Sequence, residues 1–300
     1  MMEIPEIALK VSLVLFMVGN LLHMGLRLKL QEAFAGLRNT RFVVQSIVWG
    51  FVLCPALAYL LAKIVPLDPA YGMGLILLGM APCAPFLPPM VERARGDMGS
   101  AAAFMILASI VTVVYMPIAV PVMVTGLSTD AWTIAKPLLF FVLLPLAIGI
   151  MIQRASAPVA AKIHPFVKNT TGIATLVMLA LCVVVYGKGF ISAAGTYAIG
   201  TQILFFSVAT AASYGLSFGL RRSQKSVLAL GMSTRNLGAA LAPLFAVQAV
   251  DQRAIVMVAL GVPMQTVFSL LAARWFRSQA DIAEPTTGPA AVVTEGPHED

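Results

Sequence analysis

The sequence predicts an all-α polytopic membrane protein with about nine transmembrane helices. Three observations carry that prediction. Hydrophobic residues fill 59% of the 300 positions and charged residues only 11%, where a soluble domain carries about 25% charged residues. Apolar runs long enough to cross a hydrocarbon core of ~30 Å recur at short intervals. The two-residue alternation of a membrane strand is absent, which argues against a barrel.

The apolar stretches fall near 4–26, 42–64, 70–91, 99–125, 132–152, 167–187, 197–219, 226–247 and 254–276. The first opens with MMEIPEIALK, acidic before it is basic. Its apolar run is too long for the core of a cleavable signal, so a retained span is expected. Lys10 sits near the start of that span and can snorkel to the interface. Most stretches carry charges only near their ends, as spanning helices should.

Two stretches are irregular. The third reads GLILLGMAPCAPFLPPMVERARGD and crowds Pro82, Pro85, Pro88 and Pro89 together. Each proline removes a backbone donor and clashes with the preceding turn, so one continuous helix is excluded. The eighth reads SVLALGMSTRNLGAALAPLFAV, with Gly231, Gly238 and Pro243 and with Arg235 at its middle. A charge near the bilayer centre costs at least a few kcal/mol and is usually retained for function. Both stretches therefore read as broken helices, with Pro82, Pro85, Pro88, Gly231 and Gly238 marking the breaks. The last segment, 277–300, is rich in Pro, Thr, Ala and acids without apolar period, and a disordered cytoplasmic tail is expected there.

Loop charges set the orientation. Arg27, Lys29, Arg38, Arg41, then Arg93 and Arg95, then Arg154, Lys162 and Lys168, then Arg221, Arg222 and Lys225 fall in alternate loops. The positive-inside rule puts the N-terminus outside and the C-terminus in the cytoplasm of a multi-pass plasma-membrane protein, expected in a bacterial inner membrane. The net charge of +7 then belongs to loops and implies no nucleic acid. Cys54, Cys83 and Cys182 lie in apolar stretches without metal spacing and read as core thiols.

The broken stretches are each the second of three spans, 2–4 and 7–9. Three spans per unit, with spans 1, 5 and 6 outside both, give the units opposite topology. Paired interruptions in two halves are a sequence pointer to a transporter site. Two unrelated proline kinks are the plainer alternative.

These residues resemble a known family. GMAPCAPFLPPMVERARGD is similar to the first crossover segment of the bile acid:sodium symporters, and STRNLGAAL is similar to their second, with its Asn-x-Gly and small residues. The resemblance covers roughly Ile4 to Phe276. It implies a transmembrane domain over 1–276. Within it lie an inverted-repeat core (42–125 and 197–276), in which the two broken helices cross, and a panel (4–26 and 132–187). Substrate would bind between them near the crossover.

The resemblance also fails at specific positions. The Ser-Asn pair that the family offers sodium falls on Leu87 and Pro88, and a nearby Thr falls on Pro85. Ligands of the following helix fall on Ala101 and Met105, the bridging Glu on Gly231, a Gln on Arg235 and another Gln on Gly50. Only Asn236 of that polar set remains. Sodium needs several oxygens, and Arg235 would repel it at close range. The family's two sodium sites are therefore expected to be unused, with Arg235 standing as a fixed positive charge in their place. The competing role for Arg235 is to bond the carbonyls freed at the break, touching no substrate.

Ser233 and Thr234 are candidate donors to a carboxylate or sulfonate, or caps of the half-helix. Asn236 fits a substrate contact or a crossover bond. Gln265 and Thr266 match a polar pair beside the family's cavity, or serve helix packing. His23 lines the cavity from the panel side or is simply hydrogen-bonded in place. Acids stay near span ends or in loops, which disfavours a buried carboxylate as proton carrier. No P-loop, metal cluster or nucleophile–base pair is present, so no cofactor, metal or catalytic role is implied. The reading is a secondary transporter of a small organic anion in the lipid bilayer. An integral membrane sensor or enzyme on the same fold is the alternative.

Overall fold

The computed structural model describes residues 4–124, 130–247 and 250–283. They form fourteen α-helices and two π turns. Helix α1 (Ile4–Arg27) is followed by α2 (Leu30–Leu37), a short helix inside the first basic connection that lies on the later α7. Asn39 caps α3 (Thr40–Val48) by accepting from the Phe42 N–H at 3.2 Å, supplying one of the acceptors a helix start lacks. A π turn (Trp49–Leu53) leads into α4 (Cys54–Ile64).

Asp68 caps α5 (Pro69–Met80), whose chain breaks before α6 (Leu87–Arg93). Asp97 caps α7 (Met98–Met123). Helix α8 (Ala131–Leu138), a second π turn (Leu139–Leu143) and α9 (Leu144–Ala155) make one continuous rod. Each π turn has a proline two residues beyond it, Pro55 and Pro145. A proline ring collides with the carbonyl four residues back, and widening the turn relieves that collision.

The long α10 (Ala157–Ala194) starts well before the predicted 167 because Ser156 caps it and Pro158 is preset for a first turn. Then come α11 (Ala198–Gly215), α12 (Arg222–Ser233), α13 (Leu237–Ala246) and α14 (Gln252–Ala283). The tail expected from Arg277 is thus helical through Ala283, since Phe276 stacks on Tyr214 with ring centroids 4.6 Å apart and anchors the extension. The remaining predicted tail, 284–300, lies outside the described residues.

Among the described residues, five helical rods are long and apolar enough to cross a membrane alone, or six with the bent α10. The third and eighth apolar stretches instead form the helix pairs α5/α6 and α12/α13. Large apolar side chains such as Val122, Ile191 and Phe166 project outward at 81%, 79% and 74% exposure, the inside-out surface a bilayer requires.

Helix α1 packs along α9 and α10, and α5 sits between α4 and α14, while α12 sits between α11 and α14. Gly25 and Gly149 allow α1 and α9 to meet backbone to backbone. A Cβ on Gly25 would stand 2.5 Å from the Leu146 carbonyl oxygen, and one on Gly149 would stand 2.6 Å from that of Leu22. Close approach over small residues is how apolar helices gain packing where lipid gives no hydrophobic drive.

Candidate functional site

The two chain breaks meet. Pro82 faces Arg235 in an antiparallel bridge, the Asn236 N–H donates to the Ala81 carbonyl at 2.9 Å, and the Cys83 N–H donates to the Thr234 carbonyl at 3.0 Å. Each break thereby satisfies backbone groups that the other exposes, which backbone at membrane depth requires. Cys83 reaches this position through a left-handed backbone, φ 68°.

The predicted break residues divide on inspection. Pro82 and Pro85 lie in the break, and Pro88 and Pro89 start α6, where a missing N–H is harmless. Gly231 lies inside α12 and Gly238 in the first turn of α13, so the glycines do not interrupt the chain. Their role is clearance. A Cβ on Gly231 would stand 1.9 Å from the Phe104 ring, and one on Gly238 would stand 2.6 Å from Met17 Cγ. The interruption itself is Thr234–Arg235–Asn236.

The hydroxyls of Ser233 and Thr234 both donate to the Leu230 carbonyl, at 3.0 and 2.9 Å, and Thr234 Oγ1 also accepts from the Ala84 N–H at 3.3 Å. Both side chains are fully buried. They close the end of α12 and pin it to the other break. Asn236 caps α13 through the Ala239 N–H at 3.2 Å.

Arg235 is 0% exposed. Its backbone N–H donates to Gln265 Oε1 at 2.6 Å, and Nη1 donates to the Gly79 carbonyl at 3.3 Å in the last turn of α5. The guanidinium lies 4.9 Å from the Phe205 ring centroid, over its face. Its Nε and Nη2 have no hydrogen-bond partner among the described residues. Two helix C-termini, those of α5 and α12, converge here. Each carries roughly half a negative charge from its aligned peptide dipoles, and the Arg235 guanidinium is bonded to the α5 end.

Three cavities follow one another along α1. The largest, ≈800 Å³, lies toward Lys10 and Lys136. The second, ≈170 Å³, is at the crossover and is lined by Arg235, Asn236, Gln265 and Thr266 together with Pro85 and Asn20. The third, ≈320 Å³, lies toward Arg27 and is lined by His23, Arg27 and Lys168 against Pro85, Phe86 and Pro88. Met17 borders the first two, and Asn20, Pro85 and Phe86 border the last two.

The structure therefore brings Arg235, Asn236, Gln265 and Thr266 to one cavity and His23 to its neighbour, and turns Ser233 and Thr234 away from both. The Thr266 hydroxyl donates to the Val262 carbonyl at 2.8 Å. Sequence reasoning missed Asn20, Thr175, His164 and Lys168. Phe16, Asn20, His23 and Arg27 recur at helical spacing on α1, which was a readable signal; His164 and Lys168 come from α10 and had none.

The chain is 22% identical over 261 residues to the probable sodium/metabolite cotransporter BASS3, chloroplastic, of Arabidopsis thaliana, an alignment covering 86% of this chain and 61% of that protein. This chain thus matches less than two thirds of that relative's length. The profile of the sodium bile acid symporter family matches residues 13–193, more than half of the chain. The chain belongs to the sodium bile acid symporter family.

Proposed function

We propose that this protein is a secondary transporter of an organic anion that works without the family's sodium sites and uses Arg235 as a fixed positive charge at the crossover. The observation that carries this reading is the buried guanidinium at the crossover, bonded to the C-terminal turn of α5. Two further observations support it. The Phe104 ring takes the space that a carboxylate side chain at Gly231 would need. Pro82 lies 3.1 Å from where a Cβ on Gly50 would stand, so that flank is also filled by carbon.

The crossover cavity suits an anion. The α13 N-terminus lines it through Asn236 and Leu237, and helix N-termini favour negative charge. Gln265 and Thr266 add polar groups beside apolar walls from Phe16 and Val262. In this reading α1, α8, α9 and α10 form a panel that rocks against a core of the remaining spans in a plasma membrane. The N-terminus faces outward, and the Arg27 end of α1 is cytoplasmic.

A sodium-coupled mode is the second reading, favoured by the relative's designation as a sodium/metabolite cotransporter. Proteoliposomes decide between them. Labelled carboxylates and sulfonates, from a two-carbon acid to a steroid conjugate, are offered in sodium, potassium or choline media. The expected result is equal flux in all three and at least tenfold loss in Arg235→Gln. Flux that rises severalfold only with sodium, or is untouched in Arg235→Gln, overturns the proposal.

A further inference from the structure

His23 and His164 stack, with ring centroids 4.5 Å apart and planes 26° apart. They belong to α1 and α10, and 141 positions separate them. Each ring has a buried Nε2 with no partner among the described residues. His23 also lines the ≈320 Å³ cavity that adjoins the crossover. Two stacked imidazoles with free nitrogens beside a cavity are a place for one proton, because two charges at that separation repel strongly.

The charges around the pair are mostly positive. Arg27 stands one turn along α1, and Lys168 one turn along α10; both line the same cavity. From the start of α2 the cavity receives Glu32 and the preceding Lys29, which pair with each other at 3.0 Å. Helix α9, packed along α1, carries Arg154 in its last turn and has no acid, and α10 has none either. From the core side the lining is Pro85, Phe86, Pro88, Pro89, Met98, Ala101, Ala102 and Met105, and the nearby Asp97 is bound to the Ser100 N–H. Among the described residues the site thus gathers two cations with no carboxylate partner, two imidazoles and one carboxylate already paired.

Such a cavity disfavours a proton when empty and accepts one when an anion arrives. The linkage is reciprocal: what the anion does for the proton, the proton does for the anion. We propose that the His23–His164 pair is a proton site loaded together with an organic anion in this cavity, so that one proton and one monoanion cross together. The inference rests on the transport reading above. One proton leaves water, binds one Nε2 as the anion enters, and leaves with it; no bond to the anion is made. The pairing is electroneutral, which removes the inside-negative potential that would oppose uptake of an anion alone.

The test uses the full-length protein in proteoliposomes and the sulfonate of highest flux in the panel. A sulfonate stays ionised, so it does not leak through lipid as a neutral acid. An inward gradient of one pH unit is expected to drive about tenfold accumulation, with alkalinisation of a weakly buffered outer medium. In the double variant His23→Gln, His164→Gln, uptake at pH 5.5 and at pH 7.5 is expected to coincide. A second double variant, His23→Asn, His164→Asn, serves if the first is not monodisperse. Sulfonate flux without proton movement, or pH dependence that survives in the variants, overturns this inference alone. Absence of flux for every panel member in the unmutated protein overturns the transport reading and this inference with it.

Discussion

The ring of Phe104 occupies the space beside Gly231 so fully that a Cβ there would stand 1.9 Å from it. Phe104 is itself 0% exposed. Gly231→Ala is therefore expected to destabilise the protein by about 1–3 kcal/mol, the usual range for overpacking a filled interior. Phe104→Leu should relieve part of that loss, so the double variant should be more stable than the sum of the singles implies. Thermal unfolding in detergent measures both. Strict additivity would show that the ring and the glycine do not constrain each other.

Arg235 gives a less intuitive outcome. A guanidinium at 0% exposure with one carbonyl partner and one aromatic face recovers little of its desolvation cost. Its favourable terms are the α5 C-terminus and the Phe205 ring, each worth about 0.5–2 kcal/mol. Arg235→Met is expected to change unfolding stability by less than about 1 kcal/mol while transport falls at least tenfold. A stability loss above about 3 kcal/mol would instead make Arg235 a structural clamp.

The Gly25–Gly149 contact sets the distance between α1 and α9. Backbone atoms, which cannot rotate away, stand 2.5 and 2.6 Å from the added Cβ positions. Gly149→Val is expected to lower the melting temperature by several degrees, corresponding to about 1–3 kcal/mol. A more lipid-facing control, Gly172→Val, has nothing within 4 Å of its Cβ and should change little. Equal effects at both sites would argue against the close contact.

At the Asp68 end of α5, Arg253 bridges Asp68 and Asp251, each at 2.6 Å. Hydrogen bonds from the Arg253 side chain hold the Asp251 carboxyl below its ordinary value of 3.8. A carboxyl lowered on folding stabilises above its unfolded value and loses that contribution as pH falls through the folded one. Arg253→Gln should thus melt slightly lower at pH 7, and the gap should shrink as pH falls below 3.8 and through the lowered folded value. The gap should also narrow in high salt, because the bridge is exposed. A gap that widens on acidification would contradict this sign.

How much of the site was legible depends on the kind of signal. Pro82 and Pro85 locate the first break because a missing donor is a local property, readable from one residue. Arg235 marks the second because its charge is improbable among apolar neighbours. Gly231 and Gly238 misled, since glycine permits a turn but also permits close packing, and only the neighbours Phe104 and Met17 decide which. The hydroxyls of Ser233 and Thr234 were open between substrate and helix end; their rotamers, aimed at the Leu230 carbonyl, turn them to the helix.

The chain alone determined that this is a bundle of apolar helices with two interruptions and one cation at the second. Hydropathy, proline and charge act through a residue's own chemistry and its near neighbours along the chain. Tertiary structure alone decided that Pro82 meets Arg235, that Phe104 fills the space beside Gly231, and that His23 stacks on His164. Those pairings join residues more than a hundred positions apart, and they follow from how helices cross and which side chains fit between them.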